Sequence, residues 1–193
     1  MAQDAVGRKM NIPKNIIICG NPGTGKTTLI KEALMPFKKK VSGFMTEEIR
    51  GAEGREGFRM ISMDGRHGIL ASKMLNSCLK LGKYRIDAAV IENIAVVSML
   101  EGLEKRDLII IDEIGAMETV SEKFTETAVK CLLSANPVLA TARLGSKPFE
   151  KEFRNMENTE VLTLDRSVYP SVSKKVKEWL AHWSDKLADK NNP

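Results

Sequence analysis

Long apolar runs are missing from this chain of 193 residues. No segment approaches the ~18 apolar residues of a membrane span, and the opening MAQDAVGRKMNIPKN has no secretory-type apolar core. The expectation is a soluble, cytoplasmic protein with no membrane partner. Cysteine is scarce: Cys19, Cys78 and Cys131 show no CxxC spacing, which argues against zinc or a disulfide framework and for buried, reduced thiols. The two histidines, His67 and His182, are isolated and read as incidental. Internal repeats and low-complexity tracts are also absent, and 42% hydrophobic with 28% charged residues exclude wholesale disorder.

The length suits one compact domain, expected over residues 14–188 between a flexible segment at 1–13 and a frayed end at 189–193. The formal charge of +5 would suit a polyanionic partner, yet the charges are interspersed. The one dense basic run, Lys38 to Lys40, reads as a solvated helix end, so charge gives nucleic acid little support as a partner.

Two short runs carry the fold. Ile16 to Cys19 and Leu108 to Ile111 read as strands buried on both faces, as in a parallel sheet. The first runs into a glycine-rich loop and then a helix with Leu29, Ile30, Ala33 and Leu34 at helical spacing, stopped by Pro36. Between Val41 and Ser72, Gly51, Gly54, Gly57 and Asp64-Gly65 punctuate alternating segments that read as hairpins. Val90, Ile94, Val97 and Leu100 define one helical face, with Gly102 near that helix's end. A second helix, with Ser121 as N-cap, carries Phe124, Ala128, Cys131, Leu132 and Ala135. Strands at Pro137–Arg143 and Thr159–Asp165 are joined by the basic linker LGSKPFEKEFRNMEN, and Val176, Leu180, Trp183 and Leu187 mark a last helix whose Trp183 reads as core. The pattern is α/β, with a mainly parallel central sheet extended by antiparallel hairpins.

The loop itself, Gly20-Asn21-Pro22-Gly23-Thr24-Gly25-Lys26-Thr27, matches G-x-x-x-x-G-K-[ST] in full. In that arrangement backbone amides and the helix N-terminus face phosphate oxygens, while the glycines adopt conformations closed to residues with a Cβ. Lys26 is expected to reach the β- and γ-phosphates, the Thr27 hydroxyl to coordinate Mg²⁺, and Thr28 to contact the α-phosphate. At the end of the second buried strand, Asp112 is the expected Mg²⁺ partner and Glu113 the carboxylate that polarises an attacking water or another nucleophile. Thr141 and Arg143 end a strand expected beside it. There a polar residue can sense the γ-phosphate, and an arginine can stabilise transition-state charge in cis, with a structural role as the alternative for Arg143. Glu47 and Glu48 read as a solvated strand end, Arg50 and Arg55 as hairpin charges or phosphate partners, and GAEGREG as turns only.

Further motifs follow in order: GFMTEEIR (Gly43–Arg50), REGF (Arg55–Phe58), YRIDAAVIE (Tyr84–Glu92), IDEIGAME (Ile111–Glu118) and LTLDR (Leu162–Arg166). With the phosphate loop, this series resembles the small P-loop nucleoside-triphosphatase family that includes the human cancer-related nucleoside triphosphatase and thermophile homologues. It departs at Ile91, where the family has Phe, and at Asp165, where it has Asn. The resemblance implies a three-layer, RecA-like sheet and Mg²⁺-dependent hydrolysis of several nucleoside triphosphates, ATP and GTP first and CTP or UTP in addition. It also places Arg166 near the base or ribose, with a structural ion pair as the alternative. Two other functions remain open on the residues. One is a kinase whose basic segment Arg143, Lys147, Lys151 and Arg154 closes as a lid. The other is a nucleotide-gated switch.

Overall fold

The structure is a computed structural model that describes residues 12–37, 41–52, 54–145 and 149–189. Strand β1 (Asn15–Gly20) leads through the glycine-rich loop to helix α1 (Lys26–Leu34). Strands β2 (Val41–Gly51), β3 (Gly54–Ser62), β4 (His67–Ser72), β5 (Lys80–Leu81) and β6 (Tyr84–Ile86) follow. A helical run comprises α2 (Ala88–Val90), a π-helical segment (Ile91–Val96) and α3 (Val97–Lys105). Next come β7 (Leu108–Ile114), a short 3₁₀ turn (Glu118–Val120), α4 (Glu122–Leu133) and β8 (Val138–Arg143). The chain continues through α5 (Phe149–Arg154) and β9 (Thr159–Thr163) to α6 (Tyr169–Asp189).

The strands form one sheet in the order β5-β6-β4-β3-β2-β7-β8-β1-β9. From β2 to β9 every pairing is parallel, whereas β3, β4, β6 and β5 add on as antiparallel neighbours. The parallel core with a hairpin extension is therefore present as the sequence predicts. All six residues of β1 are buried because each face meets a helical layer. Ile16 and Ile18 pack with Leu29, Ile30, Val176 and Leu180 of α1 and α6, while Ile17 and Cys19 pack with Phe44, Ile91 and Phe124 on the other side. Three layers result.

Several local expectations need correcting. The buried residues of the helical run are Ile91, Ile94, Ala95, Val96, Ser98, Met99 and Gly102, with Val90, Val97 and Leu100 only half-buried. Hydrogen bonding from residue i to i−5, as from Val97 N–H to Glu92 O, widens the turn and rotates the face. Gly102 lies near the end of α3 as expected; Arg106 caps it at φ 57°, and a Cβ on Gly102 would lie 2.8 Å from Ser42 Cβ. Ala135 lies beyond α4, whose Ser121 accepts from Phe124 N–H as expected. The linker after β8 contains α5, pinned by Phe153 in the core. Cys19 and Cys131 are buried, but Cys78 is exposed in the turn between β4 and β5. Trp179 is the fully buried tryptophan, while Trp183 packs half-buried beside it, and both indole N–H groups donate to Pro13 O. The expected flexible N-terminus up to residue 11, the Lys38–Lys40 run, Lys147 and residues 190–193 lie outside the described residues.

Gly43 is the tightest point of the core. At φ 101° it lets β2 approach β7 so closely that an added Cβ would stand 2.0 Å from Ile110 O. Ser98 Oγ seals the site, accepting from Gly43 N–H and donating to Gly43 O. Gly65 has a similar φ of 95° but open space around it. In urea unfolding, Gly65→Ala should cost about 1 kcal/mol through backbone strain alone, and Gly43→Ala at least ~3 kcal/mol or the fold itself. Equal losses at the two positions would contradict this packing.

Candidate active site

The parallel strands bring Gly20, Asp112 and Arg143 to one end of the sheet, because β8 lies between β1 and β7. Gly23 (φ 80°) and Gly25 (φ 92°) give the loop its left-handed turns, and Gly25 caps α1 without any side-chain hydrogen bond. The first N–H groups of α1 thus meet no side-chain cap and face the hollow of the loop, the arrangement that receives anionic oxygen. Thr24 Oγ1 donates to Asn21 O at 2.9 Å, which braces the exposed Asn21-Pro22-Gly23 tip. Thr28 is exposed at the mouth and Thr27 is half-buried beneath it.

Lys26 is 7% exposed, and its ammonium donates to Gly20 O at 2.9 Å while lying 3.3 Å from Glu113 Oε2. The lysine therefore joins the phosphate loop to the end of β7. Beside it, Asp112 is 1% exposed and accepts a hydrogen bond from the Thr141 hydroxyl, which projects from β8 into the gap. Burial pushes the Asp112 carboxyl up to about 6; the hydroxyls of Thr141 and Thr27 pull the other way, Glu113 adds to the rise, and Lys26 opposes it. Its Oδ2 is buried with no hydrogen-bond partner. A carboxylate oxygen in that condition, with the Thr27 hydroxyl close by, is a donor pair of the hard, oxygen type that Mg²⁺ takes. The residues present fit the ion.

Glu118, in the IDEIGAME motif, lies beside these residues. It is 3% exposed in the 3₁₀ turn after β7. Burial first, then the charges of Glu113 and Asp112, raise its carboxyl to about 8, against the backbone N–H groups of Glu118 and Gly115 that favour ionisation. The only signal in sequence was one more glutamate after a glycine turn.

The remaining candidates divide. Arg143 stands opposite Gly20 in the β1–β8 register, on the exposed rim of the loop. Arg166 is exposed on the turn between β9 and α6, and that turn abuts the loop: a Cβ on Gly20 would lie 2.8 Å from Leu164 O. Asp165 accepts from Ser167 N–H, Ser167 Oγ and Val168 N–H, which makes it the brace of that turn and lowers its pKa. Tyr169 packs its ring on Gly25 and donates to Glu32 at 3.1 Å. Glu47 pairs with Lys31 and Arg59, and Glu48 with Arg50 and Arg55, so the hairpin charges neutralise one another. Of the basic linker, Lys151 and Arg154 fall on α5, which Phe153 ties to the core.

The Glu118 environment makes stability pH-dependent. Folding raises this carboxyl from 4.5 to about 8, so its proton-linked stabilisation is complete below about pH 4.5 and is lost as pH rises toward 8. Glu118→Gln removes that loss. In urea unfolding with EDTA present, the variant should gain on the wild type by on the order of 3 kcal/mol between pH 5 and 8.5. Parallel stability profiles would contradict a buried, proton-holding Glu118.

Residues 15–177 match the family described as NTPase. A nucleoside-triphosphatase THEP1 of Thermotoga maritima is 42% identical over 150 residues, covering 78% of this chain and 86% of that protein. The THEP1 of Methanocaldococcus jannaschii is 36% identical over 153 residues, covering 78% and 88%. Among solved structures, the crystal structure of THEP1 from Aquifex aeolicus superposes with a TM-score of 0.75 at 33% identity, over 84% of this chain and 96% of that one. The solution structure of a human cancer-related nucleoside triphosphatase gives a TM-score of 0.68 at 27% identity, over 85% and 97%. The likeness runs along most of each relative's length, and the chain belongs to the NTPase family that contains the THEP1 proteins.

Proposed function

We propose that the protein hydrolyses nucleoside triphosphates to the diphosphate and inorganic phosphate in a Mg²⁺-dependent reaction, with ATP and GTP as first substrates and CTP or UTP also accepted. The observation that carries this reading is the 3.3 Å contact between Lys26 and Glu113. It sets a carboxylate beside the one ammonium group expected at the γ-phosphate, where an attacking water has to stand. The names of the relatives support the same chemistry.

In this reading the loop amides and Lys26 hold the phosphates, and Thr27 with Asp112 hold the metal. A divalent cation held by these two residues would supply positive charge to the phosphates. Thr141 keeps Asp112 oriented through its hydroxyl. As the γ-phosphate draws Lys26 away, Glu113 is released to orient water and take its proton. The water oxygen bonds to the γ-phosphorus, the bond to the bridging oxygen breaks, and that electron pair leaves with the diphosphate. Arg143, at the rim beside Gly20, supports the developing charge in cis, and Arg166 on the adjoining turn lies near the nucleoside.

The test follows γ-labelled ATP or GTP with Mg²⁺, with and without nucleoside monophosphates and RNA or DNA ends. The label should appear as free phosphate at a rate that no acceptor alters. Glu113→Gln should lower kcat by ~100-fold or more while nucleotide affinity stays within a few-fold. EDTA should stop turnover in both proteins. Label appearing on an acceptor faster than in phosphate would replace hydrolysis with a kinase reaction, and an unchanged kcat in Glu113→Gln would remove Glu113 from the chemistry.

A further inference from the structure

Glu118 is a buried carboxyl that the proposed hydrolytic step leaves unused. Its place is fixed from two sides. The 3₁₀ turn that carries it is closed by Thr119 N–H and Thr119 Oγ1, which donate to Gly115 O at 3.1 and 2.9 Å, and by Ser121 N–H, which donates to Glu118 O at 3.2 Å. Ser121 in turn caps α4, so the turn is tied to a rigid helix. The Glu118 side chain folds back from this anchor toward the end of β7 and is 3% exposed there.

Gly115 reveals what it meets. A Cβ placed on that residue would lie 2.8 Å from Glu118 Oε2 and 3.0 Å from Glu113 Oε1. The two carboxyl groups thus converge on one point above the glycine, which is open only because no side chain is there. Glu113 consequently has two neighbours: Lys26 on its Oε2 and the Glu118 carboxyl toward its Oε1. Lys26 belongs to the phosphate and leaves when substrate binds. Glu118 belongs to the scaffold and stays.

We propose that Glu118 is a positioning residue for Glu113: its carboxyl, held over Gly115, fixes the Glu113 carboxylate toward the attacking water once Lys26 has turned to the γ-phosphate. The inference rests on the reading of Glu113 as the group that orients water. Two carboxyls that converge on one point repel less when one of them keeps its proton, and the protonated one can then donate to the other. The raised proton affinity of Glu118 agrees with its being the donor. A glutamine there keeps both capacities, since its amide oxygen accepts from backbone N–H and its NH₂ donates to Glu113. An alanine keeps neither.

The experiment is a double-mutant cycle on the full chain, with ATP, GTP and Mg²⁺. Glu118→Ala should lower kcat 10-fold or more with KM unchanged. In the Glu113→Gln background the same substitution should cost less than twofold, because the residue it positions is already gone. Glu118→Gln should stay within a few-fold of wild type. Gly115→Ala, which deletes no polar group but wedges the two carboxyls apart, should repeat the Glu118→Ala pattern and carries the test if that variant does not fold. An equal fold-loss in both backgrounds, or a kcat untouched by Glu118→Ala or by Gly115→Ala, would overturn the proposal. An unchanged kcat in Glu113→Gln alone would instead overturn the hydrolytic role of Glu113, so the two failures are distinguishable.

Discussion

The Asp112 carboxyl is buried where there is almost no water, and the arrangement around it answers that constraint. Desolvation alone would neutralise the group, since an isolated buried carboxylate is among the most costly things a core can contain. The sheet order provides the first answer. With β8 inserted between the phosphate-loop strand and the Asp112 strand, Thr141 stands beside Asp112 on the same face and donates to it. The loop provides the second, through the Thr27 hydroxyl and the nearby Lys26 ammonium. What remains is one buried oxygen, Oδ2, without a partner. On the proposed reading, that unpartnered oxygen is where a divalent cation would bind.

The same reasoning extends outward. Asp112, Glu113 and Glu118 gather at the end of β7 near Lys26, the one buried lysine among the described residues. Three ionised carboxylates there would repel strongly, and the structure relieves this by pairing Glu113 with Lys26 and by leaving Glu118 its proton. In the proposed reaction, substrate binding would change only the first of these, because the γ-phosphate would compete for Lys26, whereas the backbone around Glu118 is held by the turn and by α4. On that proposal the site stores its base against the lysine and delivers it when the substrate arrives.

Much of this was legible in the sequence. The placement of the glycine-rich loop, Asp112 and Glu113 at one end of the sheet could be read because it depends on short, contiguous spacing next to apolar strands, and Ser121 because a cap is a local device. The resemblance in motif order also extended the reading to the hairpins. The place of Glu118 escaped because it depends on burial, and burial of a glutamate three residues after a glycine turn is set by how the turn packs on α4. The helical face was misread by the extra residue in the π-helical turn at Ile91–Val96, which no period-3.6 pattern contains. The linker helix α5 escaped for a different reason: one buried side chain, Phe153, holds a segment whose composition is that of a loop. Asp165 is explained only by structure, as the brace of the turn against Gly20.

The central claim is that water, held by Glu113, attacks the γ-phosphorus. A single turnover of ATP and Mg²⁺ in ¹⁸O-water tests it directly, with the products analysed by mass. The account predicts one ¹⁸O atom in the released phosphate and none in the diphosphate. Heavy oxygen in the diphosphate, or phosphate released without it, would place the attack on another atom or give the nucleophile to another group, and would contradict the account.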